Sequence, residues 1–279
     1  MLNNNLRAPY SDQFSIGMSN KLGDWNTDAT ITRVLSYDGF VFTLGNRYPN
    51  GDFFQAGSQP WNNGIPGFGS MIRGDNGIRT ATTQVLLSTD KPYTRESGWS
   101  ANFAYTYSHA KQNRDINEHY SFDYGSIRDY PFITSNAAAK HRFVATGSLD
   151  GPWGFTFSGK MILATPLPWN GFQNCGSGCV YAKGESSYPI AAVPPASKFL
   201  VGGKIFGYRS VDLQATKTFK LAGDTELYAR IDIINVFNFD NFSTYNYVKT
   251  NGKLQASYNE TGDIIGTPRQ VKAEVGFRF

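Results

Sequence analysis

The stretch that decides the fold is Gln270-Val-Lys-Ala-Glu-Val-Gly-Phe-Arg-Phe279 at the C-terminus. Its residues alternate strictly between apolar and polar side chains, which is the period of two that is typical of a β-strand. The stretch therefore predicts a strand with one apolar and one polar face. The apolar face would carry Val271, Ala273, Val275, Phe277 and Phe279.

Eight further segments have strand-like patterns, although Thr27–Tyr37 alternates poorly because Arg33 is in phase with Ile31 and Leu35. The segments measure about 10 residues, the length that crosses a membrane at a tilt, whereas soluble strands are usually shorter. An antiparallel transmembrane β-barrel is therefore favoured over the alternative of a soluble β-sandwich. The segments are Asp12–Leu22, Thr27–Tyr37, Arg79–Thr89, Trp99–Ser108, Lys140–Leu149, Trp153–Leu163, Tyr208–Phe219 and Glu226–Ile233.

The composition excludes several classes of protein. Aromatic residues make up 15% of the 279 residues and charged residues only 17%, which argues against a disordered chain. The sequence contains no run of about 18 apolar residues, so it predicts no membrane-spanning helix. A net charge of +4 without basic clusters is weak support for nucleic-acid binding. The sequence shows no P-loop, no G-x-S-x-G and no H-E-x-x-H motif, so it predicts neither an enzyme nor a bound cofactor.

The connections between the predicted strands alternate in length. Short connections are rich in turn residues, and the long ones are rich in Gly, Asn, Pro and Tyr. Outer-membrane barrels have short periplasmic turns and long outer loops on opposite sides. The alternation predicts aromatic residues at the periplasmic rim (Trp99, Trp153, Phe219 and Phe279), and polar faces that place Lys160, Arg230, Asp232, Lys272, Glu274 and Arg278 in the lumen.

Three stretches resemble the last three strands of TonB-dependent outer-membrane receptors: Arg209 to Phe219, Leu227 to Asn238, and Val271 to Phe279. Asn235-Val-Phe-Asn238, followed by Asn241-Phe, is similar to the N-x-F-N signature of that family's penultimate strand. Pro9 to Gly17 and Gly98 to Ser108 resemble the Oar-like branch. The resemblance implies a 22-stranded barrel with an N-terminal plug, and Val275, Phe277 and Phe279 as a signal for the barrel-assembly machinery.

The chain departs from that family in its extent. About nine strands are predicted, a complete bacterial barrel has an even number, and nothing before Asp12 resembles a plug. We therefore expect residues 1–279 to be the C-terminal part of a receptor barrel, with the plug domain absent. On this interpretation residues 1–10 belong to an outer loop.

Cys175 and Cys179 lie in the sequence Asn174-Cys-Gly-Ser-Gly-Cys-Val180 within a long connection. This spacing with flexible glycines predicts a small disulfide ring, because an exported protein meets oxidising conditions. Metal binding is the alternative, but it needs further ligands and no histidine lies close in sequence.

Three other motifs have both a functional and a structural interpretation. Asn235 and Asn238 could contact a ligand, but satisfying backbone groups where the strand meets its loop is the preferred interpretation. Arg73-Gly-Asp75 spells an adhesion tripeptide, and ordinary turn chemistry is the preferred interpretation. The run Arg114 to His119 could suggest a cation site, but it is interpreted as a solvated loop.

Two functions remain in view from the sequence. The first is the barrel segment of a TonB-dependent transporter that takes up a bulky nutrient, with an unknown ligand at the outer loops. Its expected partners are outer-membrane lipid, the barrel-assembly machinery and, through the missing N-terminal region, the TonB complex, with no nucleic acid. The alternative is a structural or adhesive outer-membrane barrel without active transport.

Overall fold

The computed structural model describes most of the chain. The described residues are 2, 4–44, 71–114, 120–121, 127–130, 132–135, 137–165, 167, 169–174, 187–192, 207–221, 223, 225–241, 245–250, 253–258 and 265–278.

The described residues form fifteen β-strands and two short 3-10 helices. Nine of the strands are long and correspond to the nine predicted ones. In chain order the strands are β1 Tyr10–Leu22, β2 Trp25–Leu44, β3 Ile72–Lys91, β4 Trp99–Gln112, β5 Tyr120–Ser121, β6 Ile133–Thr134, β7 His141–Asp150, β8 Phe155–Ala164, β9 Trp169–Asn174, β10 Ser187–Ala192, β11 Tyr208–Lys220, β12 Glu226–Ile234, β13 Tyr245–Thr250, β14 Lys253–Tyr258 and β15 Gln270–Arg278, and the helices are η1 Ile127–Asp129 and η2 Pro152–Gly154.

The nine long strands form one sheet, which we call the wall sheet, in the order β1-β2-β3-β4-β7-β8-β11-β12-β15. Every neighbouring pair of these strands is antiparallel. The short strands β5 and β6 pair with β2 and β4, while β9–β10 and β13–β14 form separate hairpins. Among the described strands no pairing joins β1 to β15, so the sheet is an open portion of a barrel. The predicted fold class is confirmed.

The connections alternate as the sequence predicts. Residues 23–24, 92–98, 151–154 and 221–225 link neighbouring strands at one end of the wall sheet, which we call the turn end. Residues 45–71, 113–140, 165–207 and 235–269 link them at the opposite end, which we call the loop end. A strict alternation of this kind is expected of a transmembrane barrel.

Two details of the predicted strands are wrong. Strands β2 and β3 each run for 20 residues, so both ends of the predicted connection from Gly39 to Ile78, residues 39–44 and 72–78, are strand. Arg73-Gly-Asp75 therefore lies in β3 rather than in a turn. Trp153 was expected to begin a strand, but it lies in η2 with a φ of 58° and is 82% exposed. Trp153 therefore belongs to the sharp turn between β7 and β8, although its apolar ring fits the alternating pattern of the strand that follows.

The described part of the wall sheet buries few apolar side chains. One buried cluster lies near the loop end, where Val41 and Ile78 of β2 and β3 pack with Ile127 and Tyr130 around η1. In contrast, large apolar side chains along the wall are exposed, including Phe14, Ile16 and Met18 on β1 and Val271, Val275 and Phe277 on β15. The apolar surface of the sheet thus points outward instead of enclosing a core.

Candidate functional site on the polar face

The register of the wall sheet places polar side chains in continuous rows on one face, which we call the polar face. One row runs across six strands through residues that are direct neighbours in register. Cross-strand neighbours in an antiparallel sheet point to the same side, so the row forms a single hydrophilic strip. Its members are Asn26, Asp90, Asn102, Thr146, Lys160 and Asp212.

The predicted lumenal charges of β12 and β15 lie together on this polar face. Arg230 is opposite Glu274 in register and forms an ion pair with it, while its Nε lies 3.3 Å from Asp232 Oδ2. Tyr228 Oη donates to Glu274 Oε1 over 2.7 Å. These side chains are partly exposed, so the ion pairs add little to the free energy of unfolding. Their main effect is to keep charges of both signs in a fixed arrangement.

A cavity of about 320 Å³ opens between β8, β11, β12 and β15 on the same face. Its lining brings Lys160 and Lys272 close to Asp212 and Asp232. Asp212 Oδ1 accepts from Ser210 Oγ over 2.9 Å and from the backbone N–H of Asn235, also over 2.9 Å, so this carboxylate is held in place. The mixed charges suit a hydrated wall better than a site for one strongly charged ligand.

The two asparagines of the Asn235-Val-Phe-Asn238 signature form hydrogen bonds with backbone groups where β12 ends. Asn235 is 1% exposed, and its Nδ2 donates to the carbonyls of Phe239 (2.9 Å) and Thr267 (3.0 Å) while its Oδ1 accepts from Phe239 N–H (2.9 Å). Asn238 Oδ1 accepts from Arg269 N–H over 3.0 Å. Both asparagines have positive φ angles, of 51° and 52°. The preferred interpretation, that they satisfy backbone groups, is confirmed.

A second and larger cavity, of about 550 Å³, lies towards the loop end of the polar face. Strands β3, β4, β7, β8 and β11 form its floor, and residues 137–139, 167, 207 and 265 of the connections also line it. Arg142, at the start of β7, is the charged residue among the described lining residues. Sequence reasoning missed Arg142 because a single arginine in a strand carries no motif.

Aromatic rings gather at both ends of the apolar face. Near the turn end, Trp25 lies 5.9 Å from Trp99 and 6.2 Å from Phe103, and Lys91 Nζ lies 4.3 Å above the Trp99 ring. Towards the loop end, Tyr105 Oη is 2.7 Å from His141 Nδ1. Rings that combine apolar and polar parts favour the two interfaces of a bilayer, so the apolar zone between them matches a membrane-facing surface.

The remaining predicted site residues have different outcomes. Val275 and Phe277 lie on the apolar face, opposite Ala229 and Leu227, whereas Cys175, Cys179 and Phe279 lie outside the described residues. Arg114, at the start of the run Arg114 to His119, is buried, with its guanidinium 5.5 Å from the centre of the Tyr130 ring, so this residue is not solvated as predicted. The rest of that run, residues 115–119, lies outside the described residues. The position of Arg114 follows from the packing around η1, which the local sequence does not reveal.

The described residues show neither a metal-binding cluster nor a membrane-spanning helix. They contain no group of three or more His, Cys, Asp or Glu side chains arranged to hold a metal ion. In the same part of the chain, no helix has the length and apolar character needed to cross a membrane.

Comparison with solved structures identifies the architecture. The chain is similar to the outer membrane transporter YddB from Escherichia coli, with a TM-score of 0.57 over 98% of its length and 12% sequence identity. The fold is that of an outer-membrane transporter barrel. FpvA of Pseudomonas aeruginosa, in a complex with a heterologous pyoverdine and iron, gives a TM-score of 0.50 over 98% of the chain at 13% identity.

The chain spans only 33% of the length of YddB and 27% of that of FpvA. No protein-family model and no curated protein match the sequence. The likeness therefore establishes the barrel fold, and the resemblance to the Oar-like branch stays a prediction.

Proposed function

We propose that this chain forms part of the barrel wall of a TonB-dependent outer-membrane transporter that takes up a bulky nutrient. The observation that carries the proposal is the exposed apolar face of the wall sheet, which lies back to back with a continuous polar face. Phe14, Ile16 and Met18 are 62%, 76% and 64% exposed. In water such a surface would promote aggregation, whereas in a bilayer it faces lipid of matching polarity.

The open edges of the sheet support a larger barrel. Strands β1 and β15 each pair with one neighbour among the described strands, so each leaves a row of backbone groups free. In the hydrocarbon region of a bilayer no water is present to bond an unpaired backbone group, so each such group costs on the order of several kcal/mol. We propose that further strands of the whole protein pair with both edges, and that residues 1–279 are its C-terminal barrel portion.

The proposed ligand is supported by one of the solved structures, and the proposed partners rest on the sequence resemblance. FpvA is solved in a complex with a pyoverdine and iron, and this supports a ligand-binding role for the chain. For this chain, we propose that the ligand enters at the loop end and contacts the polar face. Contact with the TonB complex would run through a plug and a TonB-contacting segment N-terminal to this chain.

The adhesive alternative gains no support from the described residues. Its suggestive motif, Arg73-Gly-Asp75, lies in β3, and Arg73 Nη2 is 3.1 Å from Asp75 Oδ2. An extended strand with its two charges paired does not present the tripeptide as an open loop would.

A topology experiment tests the proposal directly. In the full-length parent with Cys175 and Cys179 replaced by serine, Ala137→Cys places a thiol at the loop end and Glu96→Cys places one at the turn end, both at exposed positions. A membrane-impermeant maleimide applied to intact cells should label the Ala137→Cys protein and spare the Glu96→Cys protein until the cells are lysed. Equal labelling of both, or the reverse pattern, would contradict the proposed orientation.

We also propose that Val275, Phe277 and Phe279 form the signal for the barrel-assembly machinery. Deleting Phe279, or changing Phe277 to Ala, should reduce the heat-modifiable barrel in outer-membrane fractions. Leu221→Ala, which alters an exposed apolar side chain at the turn end, is the matched control and should leave the yield unchanged. An undiminished yield from both C-terminal variants would remove the assignment.

Cys175 and Cys179 are proposed to form a disulfide that braces their loop. Mass spectrometry of an unreduced digest should show the linked peptide. Two free thiols would show that the cysteines are reduced, and release of a bound metal by a chelator would show that they bind a metal. Either result would contradict the disulfide.

A further inference from the structure

The cavity of about 550 Å³ at the loop end has the size of a ligand pocket. It opens on the polar face, which the proposed function assigns to the transport lumen, and this inference rests on that function. Three kinds of side chain line it: a single cation, several neutral polar groups and several exposed apolar groups. Each kind constrains the ligand separately.

The cation is Arg142. In register it lies between Thr106 of β4 and Ala164 of β8, and it shares the polar face with both. Acidic side chains are absent from the described lining residues. The backbone of Arg142 pairs within the sheet, but its guanidinium has no hydrogen bond or ion pair with any side chain in the described part of the chain. A planar guanidinium without a partner can bind a carboxylate through two parallel hydrogen bonds.

The neutral polar groups surround this guanidinium. Gln84 Nε2 donates to Ser108 Oγ over 3.2 Å, which leaves the second hydrogen of that amide group for a ligand. Thr106 and Tyr208 add hydroxyl groups to the lining. Amide and hydroxyl groups both donate and accept, so they suit the N–H and C=O groups of a peptide backbone.

The apolar groups are unusual for the lumenal side of a barrel. Leu86 follows Gln84 by two positions on the polar face of β3 and is 39% exposed, and Leu167 and Ile265 from the connections are 46% and 38% exposed. Covering these side chains with apolar ligand groups would remove them from water and favour binding. They lie around the same cavity as Arg142, so the ligand should carry apolar groups beside its anionic group.

We propose that this cavity binds the C-terminal end of an apolar peptide, with the terminal carboxylate on Arg142. The backbone of the peptide would meet Gln84, Ser108 and Tyr208, and its side chains would cover Leu86, Leu167 and Ile265. Arg142 is thus a specificity-determining residue that selects a free carboxylate over a neutral end.

Binding of two matched probes tests the proposal in the full-length parent purified in detergent. The probes are the tripeptide alanyl-alanyl-leucine and its C-terminal amide, which differ in the charge of one group. The acid should bind more tightly than the amide. Changing Arg142 to Gln should weaken binding of the acid by about tenfold to a hundredfold, as expected for a lost charged hydrogen bond, and leave the amide unaffected.

Two further variants complete the experiment. Arg142→Lys keeps the charge but loses the bidentate geometry, so it should retain part of the preference for the acid. Arg95→Gln removes an exposed arginine in the turn between β3 and β4 and should change nothing. Heat-modifiability on gels verifies that each variant has a folded barrel.

Equal binding of acid and amide, unchanged binding by Arg142→Gln, or no binding of either probe would overturn the peptide-carboxylate site. None of these results affects the proposed barrel function, which is tested by maleimide topology in intact cells. A reversed labelling pattern, or equal labelling of the two cysteine variants, would overturn the barrel function regardless of how the two tripeptides bind.

Discussion

Asn241 occupies the place of a strand partner for Arg209. Its Oδ1 accepts from Arg209 N–H over 2.7 Å, and its Nδ2 donates to Arg209 C=O over 2.9 Å. The pairing of β11 with β12 reaches only as far as Leu213 opposite Ile233, so the carboxamide extends the hydrogen-bonded edge of β11 beyond its partner strand. An amide side chain can do this because it has the same donor and acceptor as a peptide group.

Asn113 plays a comparable part at the loop end of β3. Its Oδ1 accepts from Arg79 N–H over 2.7 Å, and its Nδ2 donates to Gly77 C=O over 2.9 Å. Both asparagines are nearly inaccessible to solvent, at 1% for Asn113 and 3% for Asn241. Side-chain amides thus form hydrogen bonds with backbone groups at the places where two long strands extend beyond their partner strands.

The first prediction is that Asn241→Ala destabilises the barrel. The change leaves the N–H and C=O of Arg209 without this partner at a buried position, which should lower the free energy of unfolding by about 1–3 kcal/mol. Denaturant titration of the protein in detergent, followed by loss of heat-modifiability, measures the change. Asn102→Ala, at an exposed position on the polar face, is the control and should have little effect.

The second prediction separates the two asparagines of the Asn235-Val-Phe-Asn238 signature. Replacement by Gly keeps the positive φ of each position accessible and removes only the side chain. Asn235→Gly loses three hydrogen bonds at a buried site, whereas Asn238→Gly loses one at an exposed site. Asn235→Gly should therefore cost more in unfolding free energy, by about 1–3 kcal/mol. Equal losses in the same titration would argue against the hydrogen bonds as the cause.

The third prediction uses Gly147 and Gly159, which are direct neighbours in register on β7 and β8. A Cβ on Gly147 would lie 2.9 Å from the backbone oxygen of Ser100, while a Cβ on Gly159 would meet nothing closer than Leu213 Cδ2 at 3.6 Å. Gly147→Ala should therefore destabilise the barrel by about 1–3 kcal/mol, since the backbone must move. Gly159→Ala should be neutral or slightly stabilising, because alanine loses less conformational freedom on folding.

Unfolding midpoints of the two glycine variants in urea supply the measurement. A tolerated Gly147→Ala together with a damaging Gly159→Ala would contradict the register of β4, β7 and β8.

The fourth prediction concerns the turn end, where Tyr93 Oη donates to Asp150 Oδ2 over 2.7 Å. This hydrogen bond raises the pKa of Tyr93 above its ordinary value of 10.0, with further upward contributions from desolvation and from the negative charge of Asp150. The folded protein thus holds the phenol proton more tightly than the unfolded chain does. The resulting stabilisation is present below pH 10 and is lost as the pH rises through the higher folded pKa.

The difference between the ultraviolet titration curves of the unchanged protein and of the Tyr93→Phe variant isolates this phenol. Its midpoint should lie above the ordinary value and move down in an Asp150→Ala background. Asp24→Ala, at an exposed position in the turn between β1 and β2, should leave the midpoint in place. A Tyr93 midpoint that is unaffected by Asp150→Ala would exclude the hydrogen bond as its cause.

The sequence by itself determined the strands and the two faces of the wall. A period of two along nine segments is a local property, and the apolar side chains that it aligns emerge on one face in the structure. The alternation of short and long connections also follows from composition, because glycine, asparagine and proline interrupt strands where they cluster. Even Arg33, which disturbs the pattern of Thr27–Tyr37, lies within β2, where its guanidinium donates to Thr83 Oγ1 on β3.

Only the tertiary structure decided where strands extend and which side chains meet. β2 and β3 continue through a shift in register between Ser36 and Gly39, with Asp38 at a φ of 56°. This irregularity interrupts the alternation of apolar and polar residues by which a strand is recognised in the sequence. Arg209 and Asn241 are 32 positions apart, and Arg142 acquires its cavity from four other strands and several connections. Register between distant segments depends on pairing across the whole sheet, so no local pattern contains it.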